Sequence, residues 1–255
     1  MSEAANGPAL ETRGLCKSFG ALQVANSIDF CLERGARHAL IGPNGAGKTT
    51  FVELVTGALR PNAGQIRLGG DDVTQMAQAA RVKRGLVRTF QITALFSRLS
   101  VLENVALAVC EREGIAGDLF RPAGHHRAAI EEAHALLETL RLEDEALRPV
   151  KTIAYGRQRL VEIAVALALS PKVLLLDEPA AGVPSSESGT IIDAIERLPS
   201  DIALLIIEHD MDLVFRLAQR ITVLVQGSIL VEGTPEVIAA DPEVRKVYLG
   251  ERRPV

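Results

Sequence analysis

The 255-residue chain has no tryptophan, two tyrosines and three cysteines, and its charges nearly cancel. Each shortage narrows the field. Cys16, Cys31 and Cys110 form no Cys-x-x-Cys pair and show no metal-ligand spacing, so they read as buried thiols acting as small apolar residues in a reducing compartment. With 28 basic against 32 acidic residues the formal net charge is -4, which removes a global electrostatic pull toward nucleic acid. No apolar run reaches the roughly 18 to 20 residues that a bilayer-spanning helix needs. The opening "MSEAANGPAL" lacks the basic and apolar regions of a signal peptide. The expectation is a cytoplasmic chain, at most docked on a membrane.

Apolar residues make up 47% of the sequence, enough to bury a full core and to exclude a disordered or fibrous chain. "LETRGLCKSF" and "LQVANSIDFCL" read as strands separated by the turn-prone Gly20. "HALIG" leads through "GPNGAGKTT" into the helical pattern "TTFVELVTGAL", with Gly57 near its end, and "GQIRLGG" returns to a strand. From about Gln91 to Ser170 the pattern is helical and more charged. There Ser100 and Glu103 make a capping box, and "AAIEEAHALLETL" has amphipathic spacing. The strand "KVLLLDEP" follows, then a helix around "SGTIIDAIERL", the strand "DIALLIIEHD", the helix "MDLVFRLAQR" and the hairpin "ITVLVQGSILVEG". Continuous Val, Leu and Ile runs alternating with helices predict a parallel sheet covered on both faces. No internal repeat is evident, so two sites would require two chains.

Gly42, Pro43, Asn44, Gly45, Ala46, Gly47, Lys48 and Thr49 match the phosphate-loop pattern G-x-x-x-x-G-K-[ST], between a predicted strand and a predicted helix. Glycines let backbone N–H groups wrap phosphates, and the helix N-terminus adds positive potential. Lys48 can reach the outer phosphates, and the Thr49 hydroxyl can ligate magnesium. Asp177 ends the apolar run "VLLLDE", where ligands gather in such sheets, and can hold magnesium through water. Glu178 follows as the natural general base for an attacking water. Adjacent carboxylates at the end of an apolar strand repel each other unless a cation neutralises them, which weighs against a merely structural pair. His209 ends "IALLIIEH" and Gln91 follows "LVRTF"; either alone is more often structural. The stretch "TIAYGRQRL", residues 152 to 160, heads an Ala- and Leu-rich helix and looks built to hold an anion.

The order of these parts, phosphate loop, Gln91, anion-holding turn, Asp177 with Glu178, then His209, resembles the ATP-binding cassette (ABC) ATPase family over nearly the whole chain. That resemblance implies an α/β P-loop NTPase core with a mainly parallel sheet, an N-terminal antiparallel β-subdomain and an inserted helical subdomain. One domain spans 1–255, with core and β-subdomain at about 1–90 and 171–255 and the helical signature subdomain at about 91–170. It implies ATP with Mg2+, bound by Gly42 to Thr50 and sandwiched between two subunits. Phe19 would stack on adenine, and Gln91 would serve the site, the metal and the link to a membrane partner. His209 would meet the γ-phosphate. Ala154, Tyr155, Gly156 and Arg157 match the family signature and would contact, in trans, a nucleotide held mainly by the partner chain. The metal set is then Thr49, Gln91 and Asp177, and the catalytic set Glu178, His209, Gln91 and Lys48.

Within the family, "GLVRTFQITALFSRLSVLENVALA" and the terminal "VYLGE" are similar to ATP-binding subunits of branched-chain amino acid importers. The partners so implied are membrane permease subunits, a second ABC ATPase (a copy or a paralogue) and, indirectly, a solute-binding protein, with the chain peripheral on the inner face of the cell membrane. Other systems of the family stay open: lipopolysaccharide export, urea or amide uptake, a soluble assembly ATPase without a permease, or a module that binds ATP without hydrolysing it. The patch "ITALFSRL", residues 92 to 99, is the candidate lining of the permease groove, its alternative being ordinary subdomain core. Two departures from the family pattern are visible. Ala154 replaces the signature serine and removes a hydroxyl donor, and Arg157 replaces the final glutamine, either pairing with phosphate or pointing into solvent. Pro184 stands where an Asp or Asn is usual and offers no polar side chain. In a heterodimer, the site built on this chain's Lys48, Asp177 and Glu178 would be the stronger of the two.

Overall fold

A computed structural model describes residues 7–89, 95–115 and 126–249, apart from the side chains of 185, 186, 248 and 249. The chain divides into two compact units. The first holds the segments 1–86, 172–178 and 199–255, and the second holds 87–171 and 179–198.

Two sheets build the first unit. β1 (Leu10–Phe19), β2 (Leu22–Leu32), β4 (Ala63–Leu68) and the two-residue β5 (Asp71–Asp72) form an antiparallel sheet in the order β2-β1-β4-β5. The other sheet runs β10-β9-β3-β8-β7-β6, from β3 (Arg37–Ile41), β6 (Leu86–Arg88, of which only Leu86 falls in this unit), β7 (Val173–Asp177), β8 (Ala203–Ile207), β9 (Arg220–Val225) and β10 (Ser228–Gly233). Its centre, β9-β3-β8-β7, is parallel, and β10 pairs antiparallel to β9. Leu40 packs into one core cluster, whereas its neighbours Ala39 and Ile41 pack into another. That two-residue period is why β3 must be apolar throughout: both of its faces are covered. On one side α1 (Lys48–Thr56) inserts Phe51, Val52, Leu54 and Val55 among residues of both sheets. On the other lie α7 (Met211–Leu217), α8 (Pro235–Ala240) and α9 (Pro242–Leu249), through Val214, Ile238 and Val244.

Arg81, in α2 (Gln78–Lys83), is 1% exposed and makes no direct ion pair among the described residues, although the Asp72 charge acts on it. Its guanidinium donates to the carbonyls of Leu54, Val55, Thr74 and Met76, so the negative C-terminal end of α1 takes the place of a counter-ion.

The second unit is helical. α3 (Val101–Arg112) packs on α4 (Arg127–Thr139) and α5 (Tyr155–Ala168), and α6 (Ser185–Glu196) packs on α5. The capping box forms as expected: Glu103 N–H donates to Ser100 Oγ at 3.2 Å and Ser100 N–H to Glu103 Oε2 at 2.6 Å. Arg112 ties three helices together. It meets both Glu132 oxygens at 2.7 Å and donates to the Ala168 carbonyl at 2.9 Å.

The structure departs from the sequence reading in three places. Residues 179–198, assigned above to the core, group with the helical unit because α6 packs on α5. The helix expected over "MDLVFRLAQR" stops at Leu217, since Arg220 already pairs with β3 as part of β9. Cys31 is not buried: Phe30 and Leu32 take the inward positions of β2 and the alternation turns Cys31 outward, while Cys16 and Cys110 are half-buried. Partial burial, then a hydrogen bond to Glu33 Oε1 at 3.3 Å, pushes the Cys31 thiol up to about 11, so it is no ready nucleophile.

Candidate functional site

In the first unit, three parallel strands end close to one another. β3 ends at Ile41, before the glycine-rich loop, and Leu40 is in register with Ile207, the last residue of β8. Ile207 is in turn in register with Asp177, the last residue of β7. The loop turn is dictated by crowding. A side chain at Gly42 would strike the Leu224 carbonyl, 2.2 Å from its Cβ, and one at Gly47 would strike the Val24 carbonyl at 2.5 Å. Gly47 also takes φ +102, which disfavours any side chain, and N-caps α1 with no side-chain hydrogen bond and no acidic residue in the first turn. The first N–H groups of that helix therefore face out of the loop without intrahelical partners. Gly45, at φ +78, has open space where its Cβ would be. Lys48 Nζ folds back onto the carbonyls of Gly42 at 2.6 Å and Pro43 at 3.2 Å. Burial lowers its pKa, opposed by the charges of Glu178 and Asp177, so the ammonium lies in the field of both carboxylates.

Glu178 is the residue at which β7 turns away. It adopts φ +46, in the left-handed region that a residue with a side chain seldom enters, and its N–H donates to the Ile207 carbonyl at 2.9 Å. This bend brings Glu178 Oε1 to 3.5 Å from His209 Nδ1. Sequence reasoning missed the residue beneath them. Glu208 is 3% exposed, accepts the His209 N–H at 3.1 Å and places Oε2 3.8 Å from His209 Nδ1. Burial raises the Glu208 pKa, the N–H groups of His209 and Asp210 oppose it, and the Glu178 charge adds to it. A lone acid at the end of the apolar run "IALLII" was the available signal.

Phe19, 52% exposed at the tip of the β1–β2 hairpin, has Lys17 Nζ 5.3 Å from its ring centroid. Gln91 lies outside the described residues, as do 92–94 of the expected groove patch. Leu95 and Phe96 of that patch line a groove with Asn104, Leu107, Ala108 and Val165.

The signature stretch starts α5 in the second unit. Ala154 is its N-cap, exposed and without a side-chain cap, and the first turn carries no acidic residue. Gly156 is buried, and a Cβ added there would lie 2.5 Å from Glu187 Oε2, whereas one added at Gly182 would meet the Tyr155 ring only at ordinary contact distance. Arg157 follows neither of the two courses left open by the sequence. It pairs with Glu145 at 3.0 and 2.6 Å and donates to the Arg141 carbonyl, all within its own unit.

These residues fit a nucleotide triphosphate with its cation. The first unit offers helix-start N–H groups without intrahelical partners, the Lys48 ammonium, the Thr49 hydroxyl and the consecutive carboxylates Asp177 and Glu178 at the end of β7. Among the described residues no group of three or more His, Cys, Asp or Glu is placed to hold a metal ion by itself.

The sheet, the loop and the strand-end carboxylates define a P-loop NTPase of the cassette type. A sequence profile described as "ABC transporter" matches residues 25–181, and a second, described as "Branched-chain amino acid ATP-binding cassette transporter", matches 228–253. The chain belongs to the ABC transporter ATPase family and is an ATP-hydrolysing subunit of that kind. It is 39% identical over 251 residues to the high-affinity branched-chain amino acid transport ATP-binding protein BraF of Pseudomonas aeruginosa, covering 96% of this chain and 98% of that protein. It is 38% identical to LivG of Escherichia coli K12, a protein of the same description, at the same coverage. Among solved structures, an ATP-binding cassette of an ABC transporter in its ADP conformation superposes with a TM-score of 0.84 at 29% identity, covering 96% of this chain and 99% of that one.

Proposed function

We propose that this chain powers an importer of branched-chain or related apolar amino acids, working as one of two ATPase subunits on the cytoplasmic face of the membrane against permease subunits served by a solute-binding protein. The observation that carries the catalytic part is Glu178, held in a left-handed turn with its carboxylate against His209, in the same unit as Lys48 and Asp177. The amino-acid part is supported by the names of the relatives and by the match over 228–253. Among the described residues no helix is long and apolar enough to cross a membrane, so translocation would belong to another subunit.

ATP is the substrate. Phe19 would stack on its base, the N–H groups from Gly45 to Thr50 would wrap its phosphates, and Lys48 would exchange the Gly42 and Pro43 carbonyls for phosphate oxygens. Thr49 and Asp177, with Gln91, would hold Mg2+, which neutralises phosphate charge when bound. Glu178 would orient the attacking water and take its proton, and His209 would donate to the γ-phosphate, with Glu208 beneath to hold its ring. The N–H groups at the start of α5, residues 154 to 156, would reach the nucleotide of the partner ATPase, so that binding closes the pair and hydrolysis reopens it. The exposed Pro184 contributes no side-chain donor to that contact.

Uptake of labelled leucine by cells lacking the native gene tests this reading. The unaltered chain should restore uptake, and Glu178→Gln should lower it by about 10^2-fold or more, the usual cost of losing a general base. Restoration by Glu178→Gln would contradict the catalytic assignment. Failure of the unaltered chain with leucine, isoleucine and valine, alongside full ATPase activity, would contradict the solute.

A further inference from the structure

The start of α5 lacks the devices that usually hold a helix N-terminus. Its N-cap, Ala154, has no polar side chain, its first turn has no acid, and its second residue is Gly156, which costs backbone entropy. α3 in the same unit has a complete capping box. What α5 has instead is Arg157. Nε and Nη2 take the two oxygens of Glu145 at 3.0 and 2.6 Å, and Nη2 also donates to the main-chain carbonyl of Arg141. Arg141 stands two residues past the end of α4 at φ +56, and Glu145 lies in the short 3₁₀ turn Glu143–Glu145 that follows. The ion pair is mostly covered, with the side chains 26% and 17% exposed.

We infer that Arg157 is a positioning residue: its fork to Glu145 and the Arg141 carbonyl anchors the first turn of α5, leaves the uncapped N–H groups free of a side-chain acceptor, and fixes the Ala154–Gly156 turn in the geometry that offers those N–H groups to a phosphate. The phosphate part rests on the proposed function, whereas the clamp is a property of this chain alone. Arginine suits the task because its planar guanidinium can satisfy a carboxylate and a carbonyl together, which a lysine ammonium on a flexible stem does poorly. The pairing also spends the positive charge of Arg157 on Glu145, so the anion is left to backbone N–H groups and the helix end. Glu187, whose Oε2 sits where a Cβ at Gly156 would fall, walls the same turn from the other side.

Hydrogen exchange on the full, nucleotide-free chain tests the clamp. The informative amides are Gln158, whose N–H makes the first helical bond to the Ala154 carbonyl at 3.0 Å, Arg159 and Leu160. Arg157→Gln should speed their exchange about tenfold and Glu145→Gln by a smaller factor, because the Arg141 carbonyl still accepts from Arg157, and the double variant should go no further than Arg157→Gln. Arg157→Lys should fall between, and it carries the comparison if Arg157→Gln fails to fold. Unchanged exchange in Arg157→Gln and Glu145→Gln overturns the inference. With Glu178→Gln added and magnesium-ATP present, both substitutions should weaken nucleotide-dependent dimers, in the same order. A dimer lost with Arg157→Gln and intact with Glu145→Gln would make Arg157 a phosphate ligand and overturn the positioning role. If the Glu178→Gln parent gives no dimer while the exchange pattern holds, the clamp stands and the composite phosphate site is what fails.

Discussion

The N-termini of α1 and α5 present similar surfaces, a glycine-bearing turn opening a helix without a side-chain cap, yet they are held by different means. At α1 the restraint is backbone on backbone: carbonyls of Val24 and Leu224 stand where side chains at Gly47 and Gly42 would be, and the left-handed Gly47 aims the chain into the helix. At α5 the restraint is carried by side chains, Arg157 on Glu145. The first arrangement tolerates almost no change of residue type. The second can be rebuilt with other partners, which fits the observation that the departures from the family pattern, Ala154, Arg157 and Pro184, fall in the second unit while the phosphate loop matches in full.

The largest effect that would sharpen this contrast is expected at Gly47. Gly47→Ala should destabilise the chain by about 3 kcal/mol, because strain at positive φ adds to a carbonyl clash, and should abolish ATP binding. Gly45→Ala should cost only about 1 kcal/mol, from left-handed strain alone, since its Cβ meets nothing within 4 Å. Denaturant unfolding of both variants measures the gap. Equal losses would mean that backbone crowding is not what sets the loop.

A smaller effect depends on pH. His38, in β3 beneath the loop, is 1% exposed, and its Nε2 lies 2.8 Å from Thr222 Oγ1, whose hydroxyl donates to Glu232 Oε2 at 2.8 Å. With that hydrogen committed to Glu232, His38 must donate from Nε2. Burial lowers its pKa from 6.5 to about 4, aided by the Arg220 charge and opposed by Glu232. The unfolded chain therefore binds a proton below its own pKa of 6.5 that the folded chain refuses until about 4, so the contribution of His38 is intact above pH 6.5 and fades as pH falls toward 4. The loss is on the order of 2 to 3 kcal/mol. Unfolding free energy measured from pH 7.5 to 4.5 should fall more steeply for the parent than for His38→Gln, and parallel curves would remove this group from the account.

The same contrast explains what could be read from the sequence. Fold class, the loop, the strand-end acids and the capping box at Ser100 were legible because each depends on residues within about one turn or one strand of one another. The clamp was not, for Arg157 and Glu145 are twelve positions apart and on different elements, and their meeting depends on how the chain turns after α4, where Arg141 is left-handed. Glu208 was passed over because a strand-end acid beside a histidine has no pattern of its own until burial is known. The stop of α7 at Leu217 and the grouping of residues 179–198 were equally hidden, since strand pairing and helix packing decided them.

In the function proposed above, the start of α5 in one chain would close on a phosphate held by the loop of another. Its most direct test is the mass of the Glu178→Gln chain by light scattering with and without magnesium-ATP, with nucleotide binding confirmed separately. The mass should double with the nucleotide and return to that of one chain on its removal. A chain that binds ATP and stays monomeric at every concentration tested would contradict it.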